Sequence, residues 1–117
     1  MTAPNIKLPT TINGKSAVQL VGTSPTAIIS NAAGSGKVLR VNTLYIGNVD
    51  ATTAYDLTVD LYRASVAYRP MPTVNVAAKA TLDVLSKAIY LEEGDALRLT
   101  ASATSKLEAV ASYEEIS

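Results

Sequence analysis

Residues 55–63, Tyr-Asp-Leu-Thr-Val-Asp-Leu-Tyr-Arg, carry the clearest structural signal in the chain. Apolar and polar side chains alternate along this stretch. One face would hold Leu57, Val59 and Leu61, and the other Thr58, Asp60 and Tyr62. A period of two with one apolar face is typical of a half-buried antiparallel strand. We therefore predict a strand here, with one side in a core.

Shorter segments of the same kind occur on both sides of this strand, with turn-forming residues between them. We predict further strands at 15–21, 26–30, 37–49, 73–77, 81–85, 89–91, 96–101 and 107–115. Strands at intervals of about 8–12 residues indicate a β-sandwich or barrel. We predict an all-β, antiparallel β-sandwich, for which a jelly roll is one option. Residues 76–85 are rich in alanine, which leaves one helical turn near 77–80 open as an alternative.

The segment 37–49 is apolar on both faces, unlike 55–63. Leu39, Val41 and Tyr45 alternate with Leu44 and Ile46. We see two interpretations. The strand is buried between two layers, or one face lies in the core and the other at an interface.

Two segments fit no regular strand. Residues 1–14 hold Pro4 and Pro9, which disfavour helix, and we interpret them as an extended arm before a domain of residues 15–117. In the arm, Ile6, Leu8 and Ile12 alternate with other residues, so it can add as an edge strand to its own domain or to a neighbour. Residues 64–72 hold Pro70 and Pro72 on either side of Met71, and we predict a long exposed loop there.

The composition argues against most kinds of reaction centre. The 117 residues include no His, Cys, Trp or Phe, and ten basic residues balance ten acidic ones. The usual acid–base catalysts and transition-metal ligands are therefore missing, and no basic patch is present for nucleic acid. No apolar run has the length of a membrane span, and residues 1–8 do not resemble a signal peptide. We predict a non-enzymatic protein without a cofactor and with no nucleic-acid or membrane partner.

Two motifs deserve comparison with known binding loops. Residues 34–37, Gly-Ser-Gly-Lys, partly resemble a phosphate-binding loop, but the first glycine and the Ser or Thr after the lysine are missing. We interpret them as a hairpin turn. Glu92, Glu93 and Asp95 surround Gly94, and such carboxylates suit calcium. A solvated turn is the simpler interpretation, and the calcium site stays open as an alternative.

Tyrosine and arginine mark the candidate contact residues. Tyr62 falls on the polar face of its strand, and Tyr68 lies beside the proline-containing segment, where Arg63 and Arg69 flank it. Tyrosine and arginine are enriched at protein interfaces. We predict that Tyr62, Tyr68, Arg69 and Met71 contact a partner, as do the arm's apolar residues.

The second half of the chain resembles small β-sandwich virion proteins of tailed bacteriophages. The resemblance lies in residues 80–85 (Ala-Thr-Leu-Asp-Val-Leu), 89–99 (Ile-Tyr-Leu-Glu-Glu-Gly-Asp-Ala-Leu-Arg-Leu) and 109–116 (Ala-Val-Ala-Ser-Tyr-Glu-Glu-Ile). Residues 24–29 and 37–46 show the same kind of strand pattern as these proteins, so the resemblance extends from about residue 14 to residue 116. These motifs are structural. The unit at 91–99 is expected to form a β-hairpin corner, with Gly94 and Asp95 in the turn.

The resemblance implies a capsid decoration or cement protein, which is made in the host cytoplasm and lies on the capsid surface. The expected partners are the major capsid protein and further copies of this chain, arranged as a trimer. Residues 2–12 and 68–72 would bridge neighbouring capsid subunits. Two alternatives remain: a head–tail joining or tail component, and a carbohydrate-binding module of a receptor-binding fibre. The second normally needs exposed aromatic residues, and the chain has no Trp.

Overall fold

The protein is described by a computed structural model that covers residues 8–117. These residues form nine strands: β1 (Ile12–Leu20), β2 (Thr26–Ser30), β3 (Val38–Asn48), β4 (Tyr55–Arg63), β5 (Val66–Val76), β6 (Thr81–Asp83), β7 (Ile89–Leu91), β8 (Ala96–Ala101) and β9 (Leu107–Ile116). The described part of the chain contains no helix that is long and apolar enough to cross a membrane.

The strands form two antiparallel sheets, which confirms the predicted β-sandwich. The five-stranded sheet has the order β1-β9-β3, with β6 and β7 both pairing with the far side of β3. The four-stranded sheet has the order β2-β8-β4-β5. If β6 and β7 are counted as one interrupted strand, the connections are those of an eight-stranded jelly roll.

The core lies between the sheets and is made almost entirely of aliphatic side chains. Its largest fully buried members include Leu44, Ile46, Leu57, Leu91, Leu97, Leu99 and Leu107. Each buried aliphatic side chain of this size contributes about 1.5–3 kcal/mol relative to an exposed one. The alternation in β4 is confirmed for Leu57 and Val59, which are fully buried.

A β-bulge explains why β3 is apolar on both faces. The pairing of β3 with β9 shifts between Val41 and Thr43, so Asn42 is an extra residue. Leu39 and Val41 are buried before the bulge, and Leu44 and Ile46 are buried after it. Because the extra residue reverses the alternation, both sets reach the same core. β3 is therefore not covered on both faces over its whole length.

The predicted loop at 64–72 is wrong, because most of it belongs to β5. Ala64 and Ser65 alone form the turn, with φ angles of 50° and 63°. Two consecutive positive φ angles are typical of the type I′ turn that joins tightly paired strands. Pro70 and Pro72 are tolerated because β5 is an edge strand and is bulged twice against β4.

Several boundaries also differ from the prediction. β1 begins at Ile12, so residues 12–14 pair with β9 and are not part of an arm. β6 ends at Asp83, which leaves Val84 and Leu85 in the link to β7. Residues 77–80 form a turn closed by a hydrogen bond from Ala80 N to Ala77 O, not a continuing helix. Lys79 in this turn has a φ of 58°.

Candidate interaction surfaces

An apolar cavity opens between the sheets beside β5, and we call it the β5 cavity. It has a volume of about 520 Å³. Its walls come from β4, β5, β7 and β8 and from the segment between β6 and β7. The lining residues include Leu61, Tyr68, Arg69, Val84, Leu85 and Leu97. The cavity therefore opens at one side edge of the sandwich.

Two predicted contact residues, Tyr68 and Arg69, line this cavity beside a bulge in β5. Arg69 and Pro70 together oppose the single residue Asp60 of β4, because the pairing shifts between Val59 and Leu61. Neighbouring residues can then line the same cavity instead of alternating between faces. The Tyr68 side chain is 55% exposed and Arg69 is also exposed. The backbone of Met71 pairs with Val59, whereas its side chain lies outside what the structure describes.

Tyr62 lies on the outer face of the four-stranded sheet. The guanidinium carbon of Arg98 lies 3.9 Å from the centre of its ring, which is a cation–π contact. Arg98 Nε also donates to Asp60 Oδ1 at 2.8 Å, and Asp60 is buried. One face of the Tyr62 ring is thus covered by the protein's own arginine. Only the other face of the ring is open to the predicted partner contact.

Two of the three carboxylates around Gly94, those of Glu92 and Asp95, form an ion-pair cluster with Arg63, whereas Glu93 accepts a hydrogen bond from the Gly36 amide. Arg63 Nε donates to Asp95 Oδ1 at 2.8 Å, and its Nη2 donates to Glu92 Oε2 at 2.8 Å. Asp95 is only 2% exposed and also accepts a bond from the Glu92 amide. The hydrogen bond from Arg63 holds the pKa of the Asp95 carboxyl below its usual range, and Asp95 raises the pKa of Arg63. Both carboxylates are thus paired with a guanidinium, and the described residues hold no group of three acidic side chains arranged to bind a metal ion.

The cluster joins the end of β4 to the turn between β7 and β8. This turn is not the predicted hairpin, because β7 and β8 belong to different sheets. The segment 34–37 is likewise no hairpin, since it links β2 of one sheet to β3 of the other. Asn31 fastens the two connections together: its Nδ2 donates to Lys37 O at 2.9 Å and to Leu91 O at 3.1 Å. Both segments therefore have an architectural role at one end of the sandwich.

The opposite side edge of the molecule is formed by β1. Nine consecutive residues of β1 pair with β9 without a bulge, and seven of the nine are exposed. Thr11 and Ser117 exchange both backbone hydrogen bonds. Because such pairs alternate along an antiparallel ladder, Asn13, Lys15, Ala17 and Gln19 also bond to β9. The N–H and C=O groups of the even-numbered residues, from Ile12 to Leu20, therefore point away from the sheet.

The outer face of the five-stranded sheet carries an apolar row next to this edge. Val18 pairs with Val110, and Val110 pairs with Tyr45, so the three side chains lie side by side across three strands. All three are exposed, Val18 by 77%. Leu20, two residues along from Val18 on the same face, is 56% exposed. A row of large apolar side chains on a sheet face is a candidate contact surface.

The predicted contact residues of the arm are only partly described. Ile6 lies outside the described residues. Leu8 and Ile12 are both exposed. Ile12 is the first residue of β1, on the same face as Val18.

The sequence alone did not point to Val18, Leu20 and Val110 as candidate contacts. They lie in segments that alternate like any half-buried strand, and nothing local distinguishes the outer face from the core face. The only signal was that β9 alternates small inner residues, Ala109 and Ala111, with the larger Val110.

Comparisons with protein-family models and with curated proteins find no match to this chain.

Proposed function

We propose that this protein is a non-enzymatic structural component of a tailed-phage virion, which decorates the capsid and stabilises it by bridging neighbouring subunits. Its partners in this proposal are the major capsid protein and further copies of the chain. Its place is the capsid surface.

The observation that carries the proposal is the presence of two apolar surfaces on opposite side edges of one rigid sandwich. The β5 cavity, with exposed Tyr68 and Arg69, lies at one edge. The free edge of β1 and the row of Val18, Val110 and Tyr45 lie at the other. A bridging protein needs at least two separate contact surfaces, whereas a module that binds one ligand needs only one.

The β5 cavity fits a protein partner better than a polar ligand. Its walls are apolar apart from Arg69 and the Tyr68 hydroxyl, so it suits an aliphatic or aromatic side chain of a capsid subunit. Tyrosine and arginine at the rim of such a pocket are the residue types that dominate binding energy at interfaces. We expect Tyr68 and Arg69 to contribute most of the capsid affinity.

Two broader arguments support the virion setting. The jelly-roll connections occur in many viral capsid domains, but also in lectins, so the fold is an analogy only. The resemblance of residues 80–116 to small phage virion proteins favours the first of these two settings.

The direct test is to mix the purified protein with decoration-free capsids of its own phage and to image them by electron microscopy. We expect ordered density on the capsid surface. Density only at the portal or tail, or ring-shaped oligomers of the isolated protein, would favour the head–tail alternative. Binding to a glycan array without capsid binding would favour the fibre module. Binding to neither capsids nor tails would rule the proposal out.

A variant pair tests the β5 cavity as the capsid contact. We expect Tyr68→Ser with Arg69→Ser to weaken capsid binding by about 10-fold or more. The control is Thr23→Ala in the exposed loop between β1 and β2. If both proteins bind capsids like the wild type, the β5 cavity is not the contact.

A truncation tests the arm. Removing residues 2–9 keeps Thr10 and Thr11, which bond to Ser117 and continue the ladder of β1. We expect weaker capsid binding with an unchanged fold. Unchanged capsid affinity would remove the arm from the proposal.

A further inference from the structure

Three of the four sheet edges carry features that prevent pairing with another strand. β2 has five residues and a bulge, and β6 and β7 have three residues each. β5 is longer but has two bulges and two prolines. Short strands, bulges and prolines are among the means by which proteins protect exposed edges, as are charged side chains, above all lysine. β1 spans nine residues without a bulge or a proline, and its one charged side chain, Lys15, is paired with Glu115 of the neighbouring strand.

β1 presents a regular row of unpaired backbone groups. The even-numbered residues from Ile12 to Leu20 direct N–H and C=O outward, as the bonds between Thr11 and Ser117 fix. Among residues 8–117, no backbone hydrogen bond satisfies these groups from the outer side. A nine-residue edge of this kind is a template for one more antiparallel strand.

We infer that β1 pairs with β1 of a second copy of this chain across a two-fold axis, so that two five-stranded sheets become one continuous ten-stranded sheet. The axis passes beside Ser16, which faces Ser16 of the second copy. Gly14 then faces Val18, and Ile12 faces Leu20. All nine residues pair, and about ten new backbone hydrogen bonds form.

The side chains and charges favour this register over the one centred on Lys15. Ile12 and Leu20 are each more than half exposed in the single copy and cover one another across the seam. Lys15 faces Ala17, whereas a shift that centres the axis on Lys15 would set two lysines opposite each other, which is destabilising. The Lys15 Nζ is in any case paired with Glu115 Oε2 at 3.1 Å. The zero net charge of the chain adds no repulsion between copies.

This arrangement closes at two copies, because the same edge is used by both partners. It differs from the trimer that we expected from the sequence. The inference does not depend on capsid binding, since it concerns the isolated protein. A failure of one proposal therefore leaves the other intact.

A charge placed at the two-fold axis tests the pairing. We expect the wild-type protein to sediment at equilibrium as a particle of twice the 12.2 kDa chain mass. In Ser16→Asp, two carboxylates face each other, and we expect the dimer Kd to rise roughly 10- to 100-fold. Ser112→Asp is the matched control, because Ser112 lies beside Ser16 in the same row, one strand inward. Its two copies are about 14 Å apart across the seam, so the dimer should persist.

A cysteine pair tests the register. The chain has no cysteine, so any crosslink must come from the introduced residue. In Ser16→Cys, the two Cα atoms lie about 5.5 Å apart, within the range for a disulfide. In Val18→Cys, the two sulfurs are separated by four residues along the strands, or about 14 Å. Mild oxidation should therefore give covalent dimers of the first variant only.

These experiments distinguish a wrong dimer from a wrong register. A monomer at every concentration up to the solubility limit, or a trimer, would overturn the inference. So would an equal effect of Ser16→Asp and Ser112→Asp on the dimer Kd. Crosslinking of Val18→Cys but not Ser16→Cys would overturn the register.

Discussion

The two side edges of this sandwich are built in opposite ways. β1 is regular, pairs through nine consecutive residues and holds no proline. β5 is longer, but its ladder is interrupted by two bulges, and Pro70 and Pro72 remove two backbone donors. The first edge keeps its backbone groups available, and the second turns side chains into a cavity. The difference shows that an edge strand can serve either for pairing or for side-chain contacts.

This contrast connects the fold to the proposed function. A bridging protein on a capsid needs one surface for its own copies and another for the capsid, and they must not compete. Two bulges interrupt strand pairing at β5, and one of them also brings Arg69 and Pro70 to the β5 cavity. The regularity that leaves β1 open to pairing also aligns Val18 with Val110 and Tyr45.

The largest effect should come from proline substitutions at two adjacent residues of β1. Ala17→Pro removes a donor that bonds to β9, so we expect a loss of about 2–3 kcal/mol in the free energy of unfolding. Ser16→Pro removes an outward donor, and we expect a loss below about 1 kcal/mol together with loss of the dimer. Denaturant unfolding at low protein concentration separates the two. Equal destabilisation would show that the assigned directions of the β1 amides are wrong.

The next largest loss of stability is expected from a substitution on the side of the sandwich that holds β5. Asp95→Ala removes a buried carboxylate that anchors Arg63 at the end of β4, and the free energy of unfolding should fall by about 2 kcal/mol. Hydrogen exchange should become faster near the β4–β5 hairpin and stay unchanged in β1. Lys79→Gln, an exposed change in the turn after β5, is the control and should leave both unchanged. Faster exchange in β1 to the same extent would mean that the two edges are not independent.

Acid should lower the free energy of unfolding, because each side of the sandwich holds a carboxylate that is stabilised in its charged form. Hydrogen bonds from Lys37 and Lys15 lower the pKa of Glu115 beside β1, and the hydrogen bond from Arg63 lowers the pKa of Asp95. A carboxyl whose pKa is lower in the folded state contributes stability that is complete above its unfolded pKa of about 4 and is lost as the pH falls through the folded pKa.

Unfolding measured across pH checks this. We expect the free energy of unfolding to be level between about pH 5 and 8, because the chain has no histidine, and to fall below about pH 4. The fall should be shallower in Asp95→Ala than in the wild type. A stability that rises on acidification would contradict the sign of both pKa shifts.

The smallest effect is expected from removing the prolines of β5. Pro70→Thr with Pro72→Thr restores two donors, but both bulges remain, so regular pairing stays blocked. We expect stability within about 0.5 kcal/mol of the wild type and no assembly beyond the dimer. New higher oligomers in sedimentation would show that the prolines, rather than the bulges, protect this edge.

The local sequence pattern was sufficient to predict the bounds of several strands. The bounds of β2, β4, β7 and β8 agree with the sequence prediction. Only the last part of β5 was predicted, as a strand at 73–77. Residues 66–72 were missed because prolines normally exclude a strand, and only the place of β5 at the edge makes them acceptable. The two apolar faces of β3 have a cause, the extra residue Asn42, that alternation alone does not reveal.

The candidate surfaces were harder to predict from the sequence than the strands, because they depend on tertiary structure. Tyr68 and Arg69 were predicted as contacts from residue type, but the cavity that they line also needs Val84 and Leu85 from another segment. The pairing of Arg63 with Asp95 joins residues far apart in the chain, and therefore left no local pattern. The open edge of β1 follows only from the order of strands in the sheet.

Hydrogen exchange in β1 tests the central claim most directly, because it measures the two sides of this edge separately. We predict that the amides of Asn13, Lys15, Ala17 and Gln19 are protected at every protein concentration, since they bond to β9 within one chain. The amides of Gly14, Ser16, Val18 and Leu20 should exchange rapidly in dilute protein and become protected as its concentration rises. Rapid exchange of this second set at all concentrations would contradict pairing through β1.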